Sequence, residues 1–127
     1  MKKLLALPFA AALILATGPA SAACTYIQNT YTGIVPAKSS VIVQGPFSIT
    51  GANRCQKANI TSTISASGTG SPPRIVIEKQ GGGTWNQVAS NNGSSASVLG
   101  PFGTYRVLHV NDHDVPRSYS GTTRYGR

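Results

Sequence analysis

His109, Asp112, His113 and Asp114 form the densest chemical cluster in this sequence. Asn111, Asp112 and Asp114 offer oxygen ligands of the kind Ca²⁺ takes, and the two histidines offer nitrogen to a transition metal. A Ca²⁺ site draws on about six or more oxygens, yet the chain holds only three acids, Glu78, Asp112 and Asp114. That shortage favours a solvated hairpin loop here, with no metal and no cofactor.

Glu78, Arg106 and His109 are a second set. Small secreted ribonucleases use a Glu base, a His acid and an Arg on the phosphate, and a basic chain attracts RNA. If Thr104 to Val110 is a regular strand, however, alternation sends Arg106 and His109 to opposite faces. Serine catalysis has no Gly-x-Ser-x-Gly elbow to work from. Phosphate loops, zinc cysteine motifs and the close Cys pair of redox enzymes are absent as well. A non-enzymatic protein is expected, with a small secreted nuclease as an alternative.

The third set lies at the C-terminus: Arg117, Tyr119, Arg124, Tyr125 and Arg127. Arginine and tyrosine together suit anionic polymers, through flat charge and ring stacking. Alternation along a last strand would put Arg117, Tyr119 and Tyr125 on one face and Arg124 on the other. The expected partner is an anionic polysaccharide or another exported protein.

Positioning such groups requires a fold, and the first residues say where it matures. Met1-Lys2-Lys3 is followed by an uncharged run of about 13 residues, shorter than the roughly 20 of a membrane span. Ala20-Ser21-Ala22-Ala23 then offers small residues for cleavage after Ala22 or Ala23. Residues 1–23 therefore read as a signal peptide of bacterial type, and 24–127 as a single domain. The expected location is secreted or periplasmic. A lipoprotein form at Cys24 would want a Leu-like residue where Ser21 stands. The chain has 11 Lys and Arg against 3 acids, a net +8, and without its two leader lysines a formal +6. That charge is too thinly spread for the basic stripe of a nucleic-acid binder. The sequons at Asn59 and Asn92 matter only in a host that glycosylates them.

In an oxidising compartment, Cys24 and Cys55 read as one disulfide. It closes a loop of about 30 residues, worth roughly 3 kcal/mol in the loop-entropy account. Helical periodicity is missing throughout. Short β-branched runs alternate with turn formers: Tyr26–Val35, Ser40–Gln44, Phe47–Thr50, Cys55–Ala66, Arg74–Lys79, Thr84–Ala89, Ala96–Leu99, Thr104–Val110 and Ser118–Tyr125. About eight or nine short strands at this spacing predict a small antiparallel β-sandwich, jelly-roll or Ig-like. The predicted core is Ile49, Ile60, Ile64, Ile75, Ile77, Trp85, Val88, Leu99, Tyr105, Val107, Leu108 and Val110.

Arg74-Ile75-Val76-Ile77-Glu78-Lys79, Trp85-Asn86-Gln87-Val88-Ala89-Ser90-Asn91 and Gly103-Thr104-Tyr105-Arg106-Val107, with Tyr119 beyond, resemble strands of the bacterial pre-peptidase C-terminal domain. The resemblance covers about half of the domain. It implies a secreted β-sandwich with a non-catalytic binding role. A Thr/Ser/Asn-rich chain with many strand edges also admits a fibre or pilus-like assembly subunit.

Overall fold

The computed structural model describes residues 24–52 and 54–126, so the leader and Arg127 lie outside the described residues. Eight strands follow one another: β1 (Tyr26–Val35), β2 (Ser39–Ile49), β3 (Ala58–Ala66), β4 (Arg74–Gly81), β5 (Thr84–Asn91), β6 (Ser95–Gly100), β7 (Gly103–Asn111) and β8 (Arg117–Gly126). They build two four-stranded sheets, ordered β1-β8-β3-β6 and β2-β7-β4-β5, and every pairing is antiparallel. Consecutive strands β1 and β2 enter opposite sheets, as do β3 and β4. This is the double Greek-key order of a jelly roll, and it excludes the Ig-like arrangement. No helix among the described residues is long and apolar enough to cross a membrane.

Two runs read separately in the sequence are one strand. Gly45-Pro46 is not a turn between Ser40–Gln44 and Phe47–Thr50 but an irregular stretch inside β2. Gly45 has φ 111°, a conformation glycine tolerates. Pairing with β7 shifts register there, between Ile42 and Gln44 and again between Gln44 and Phe47. The extra residues bend the strand without ending it.

Alternation fills the space between the sheets. Ile49, Ile60, Ile64, Ile75, Ile77, Tyr105 and Val107 are buried there as expected, joined by Val35, Phe47, Ala58, Ala96, Tyr119 and Tyr125. Burying each of the larger side chains among them contributes about 1.5–3 kcal/mol of transfer free energy, and each alanine less. Phe47 stacks on Tyr125 with ring centroids 4.0 Å apart. The Tyr105 hydroxyl donates to the Pro101 carbonyl at 2.6 Å, holding the turn into β7. The Cys24–Cys55 disulfide forms and ties the start of β1 to the segment before β3. Gly126, the last residue of β8, packs against both sulfurs.

Five of the predicted core positions are not in that core. Leu99 is 69% exposed and Val88 is 44% exposed. Leu99 pairs with Asn59 on the solvent face of its sheet. Val88 lies on edge strand β5, beside the register shift at Ile77/Glu78 that resets its facing. Trp85 and Val110 are half-buried. Leu108 is buried, but it alternates with Val107 and lies on the outer side of its sheet, across from Ile42.

Candidate functional site

The loop after β7 is built around Asn111. Its buried side-chain amide donates to the carbonyls of Val35 at 3.1 Å, Pro36 at 3.2 Å and Val115 at 2.8 Å. Its oxygen accepts the His113 N–H at 2.9 Å. With Asn111 fixed inward, its neighbours diverge. Asp112 faces Arg74 at 3.3 Å, Asp114 faces Lys38 at 3.5 Å, and His113 Nε2 approaches the Ser71 hydroxyl at 3.4 Å. Asp112, His113 and Asp114 thus turn to three separate partners. Among the described residues no three His, Cys, Asp or Glu side chains converge to hold a metal.

Glu78 and Arg106 are cross-strand neighbours on the outer face of the β2-β7-β4-β5 sheet and form an ion pair at 2.7 Å. The Arg106 guanidinium lies 4.3 Å from the centre of the Trp85 ring. His109 is on the other side of that sheet. It is fully buried between Tyr119, with ring centroids 4.4 Å apart, and Tyr31, at 5.7 Å. Neither ring nitrogen has a hydrogen-bond partner among the described residues. Burial alone holds its pKa at about 4, because a charged imidazole there would lose its water. The same desolvation, with Tyr31 adding to it, raises the Tyr119 phenol. The sheet therefore separates the general acid of the nuclease set from its base and its arginine. Beside Glu78, a shallow depression of about 400 Å³ has Val76 and Leu108 in its floor and Lys38, Arg74 and Asp112 in its walls. Its charges are largely matched pair by pair.

The C-terminal set does not form one surface either. β8 lies between β1 and β3, an inner strand and not an edge. Arg117, Tyr119 and Tyr125 do share a face, but it is the inward one. Tyr119 and Tyr125 are buried, so their rings are not offered for stacking on a polymer. Arg117 is half-buried, with its guanidinium against Gly70 and near the Thr69 carbonyl at 3.5 Å. Only Arg124 reaches solvent, lying over the Tyr26 ring at 3.7 Å. Arg127 is outside the described residues.

A different cationic region emerges from the pairing. All three carboxylates face cations: Glu78 with Arg106, Asp112 with Arg74, Asp114 with Lys38. Four other cations, Arg54, Lys57, Lys79 and Arg124, gather at the disulfide end of the sandwich. Arg54 and Lys57 flank Cys55, and Arg124 is two residues from the Gly126 that touches the sulfurs. Lys79 lies near the end of β4, its side chain against Gly103 at the start of β7. Asp112 and Asp114 are at the opposite end, beyond the last residue of β7.

The same end holds a groove of about 320 Å³ lined by Tyr26, Gln56, Lys57, Asn59, Leu99 and the disulfide. The Asn59 amide donates to the Tyr26 hydroxyl at 3.1 Å, fixing the ring that Arg124 covers. The Arg124 guanidinium over the Tyr26 ring, an amide row, an exposed aliphatic side chain and Lys57 suit a chain molecule with anionic and hydroxyl groups. The signal for this region was in the sequence, in Arg54-Cys55-Gln56-Lys57, where cations flank a disulfide cysteine. What brings Arg124 and Lys79 beside them is the strand order.

No protein-family model matches the chain, and no curated protein matches it. Among solved structures, the crystal structure of Yersinia pseudotuberculosis-derived mitogen is similar to it, with a TM-score of 0.58 and 13% sequence identity. That alignment covers 78% of this chain and 86% of the mitogen chain, and the likeness is one of fold. A chain from Bacillus endospore appendages, which form disulfide-linked pili, aligns over 98% of both chains at 18% identity with a TM-score of 0.39.

Proposed function

We propose that this protein is an exported, non-enzymatic binding module that grips anionic envelope or extracellular polymers with its disulfide end. The leader-like first residues and the disulfide support export to an oxidising compartment. The observation that carries the binding role is the polarity of charge. Each Asp and Glu side chain faces a cation, while Arg54, Lys57, Lys79 and Arg124 lie at the end that holds the groove, whose described lining includes Lys57 and no carboxylate.

Arg54, Lys57 and Arg124 are exposed, so replacing all three with Ser removes charge without opening the core. Each cation near an anionic surface contributes about 1 kcal/mol. Affinity for a heparin-like polysaccharide should fall roughly tenfold to hundredfold at physiological salt. Parent binding should itself weaken steeply as salt is raised, because the Debye length is about 8 Å at physiological ionic strength. Thermal unfolding should stay within a few degrees of the parent. Unchanged binding by the triple variant would remove the disulfide end from consideration.

A further inference from the structure

Strand β1 is a sheet edge left unguarded by the described residues. Among the described residues, four strands border the sheets: β1 and β6 in one, β2 and β5 in the other. Natural edges are kept from pairing with other chains by shortness, proline, bulges or charge. β2 carries Pro46 and two register shifts. β6 has 6 residues. β5 pairs with β4 across an irregularity at Ile77/Glu78. β1 has none of these devices. Its 10 residues, Tyr-Ile-Gln-Asn-Thr-Tyr-Thr-Gly-Ile-Val, contain no charge and no proline. They pair with β8 residue for residue without a shift. Every second residue of such a strand aims its N–H and C=O away from its one neighbour.

We infer that β1 pairs with β1 of a second copy of this chain, antiparallel about a two-fold axis, joining two four-stranded sheets into one of eight. Charge placement selects this occupant over a growing fibre. β1 and β6 run antiparallel within their sheet. Adding β6 of the next copy to β1 would therefore set the cationic ends side by side, copy after copy. Arg124 on β8 would then lie about three strand spacings, roughly 15 Å, from Lys57 of the next copy. The two-fold β1–β1 pairing instead sends the cationic ends to opposite extremes of a strand about 33 Å long. The uncharged β1 sequences meet without repulsion, and up to about ten main-chain hydrogen bonds can form between them. The arrangement is self-complementary, as a closed dimer requires.

This inference does not depend on polymer binding, and sedimentation velocity of the purified exported protein tests it alone. The parent should sediment as a dimer that dissociates on dilution. Thr30 is exposed near the middle of β1, where a lysine would approach its own symmetry mate. Thr30→Lys should weaken the dimer at least tenfold while leaving thermal unfolding close to the parent. Should Thr30→Lys not fold, the exposed Thr32→Lys replaces it with the same expectation. Ser97→Lys, on the solvent face of β6, should leave the dimer intact. A parent that stays monomeric, assemblies that grow beyond two, or a dimer broken by Ser97→Lys but not by the β1 variants would each overturn the inference. Polysaccharide binding by the monomeric variant is read separately, so a failure there bears only on the polymer-binding proposal.

Discussion

Lowering the pH from 6.5 to 4 is expected to strip about 3 kcal/mol from the stability of this fold through His109 alone. In the unfolded chain His109 titrates near its ordinary value of 6.5, and in the folded protein at about 4. Above pH 6.5 both states carry a neutral ring and the histidine adds no pH dependence. Between these values the unfolded chain binds a proton that the folded protein refuses, so stability falls as pH falls. Below pH 4 both states are protonated and the slope vanishes. The groups packed around the ring are Tyr31 on β1 and Tyr119 on β8, and neither can compensate an imidazolium. A buried polar group without partners is also better replaced than kept. His109→Leu should therefore hold neutral-pH stability within about 1 kcal/mol and flatten the profile between pH 6.5 and 4. Urea unfolding of both proteins across that range checks this. The surface carboxylates are common to both proteins, so the difference isolates His109. Parallel profiles would show that His109 reaches its protons without unfolding.

Opening the disulfide should have an effect of similar size. Cys24 and Cys55 are 31 residues apart, and closing a loop of that length restricts the unfolded chain by about 3–4 kcal/mol. Single domains are stable by only about 5–15 kcal/mol. The loop spans β1 and β2, one strand from each sheet, so both sheets lose a constraint together. Cys24→Ser/Cys55→Ser should lower the denaturation midpoint markedly and raise the slope, because the uncrosslinked unfolded chain exposes more surface. It should leave the protein vulnerable to proteolysis at 37 °C. A loss under about 1 kcal/mol would mean that the closed loop contributes little and that the fold does not depend on an oxidising compartment.

The strand count was legible because β-branched runs and turn formers alternate cleanly from Tyr26 onward. The phase of each strand was harder. In β8, alternation sets Arg117, Tyr119 and Tyr125 on one face, but nothing local says whether that face meets water or core. Tyrosine suits both, and the answer comes from pairing β8 between β1 and β3. Leu99 misled for the opposite reason, since an aliphatic residue on a short edge strand can remain in solvent. Trp85 reads as core by type, yet it lies half-buried beneath Arg106. The separation of Arg106 from His109 was foreseeable from parity alone and stands. The cationic end was hidden because its members come from three distant segments, and only the jelly-roll order assembles them.

Backbone amide chemical shifts during titration with a sulfated oligosaccharide will show whether the disulfide end is the binding surface. Perturbations should centre on Arg54, Gln56, Lys57, Asn59, Lys79 and Arg124 and fade with added salt. Perturbations centred instead on Arg74, Glu78 and Leu108, or no perturbation at low salt, would contradict that placement.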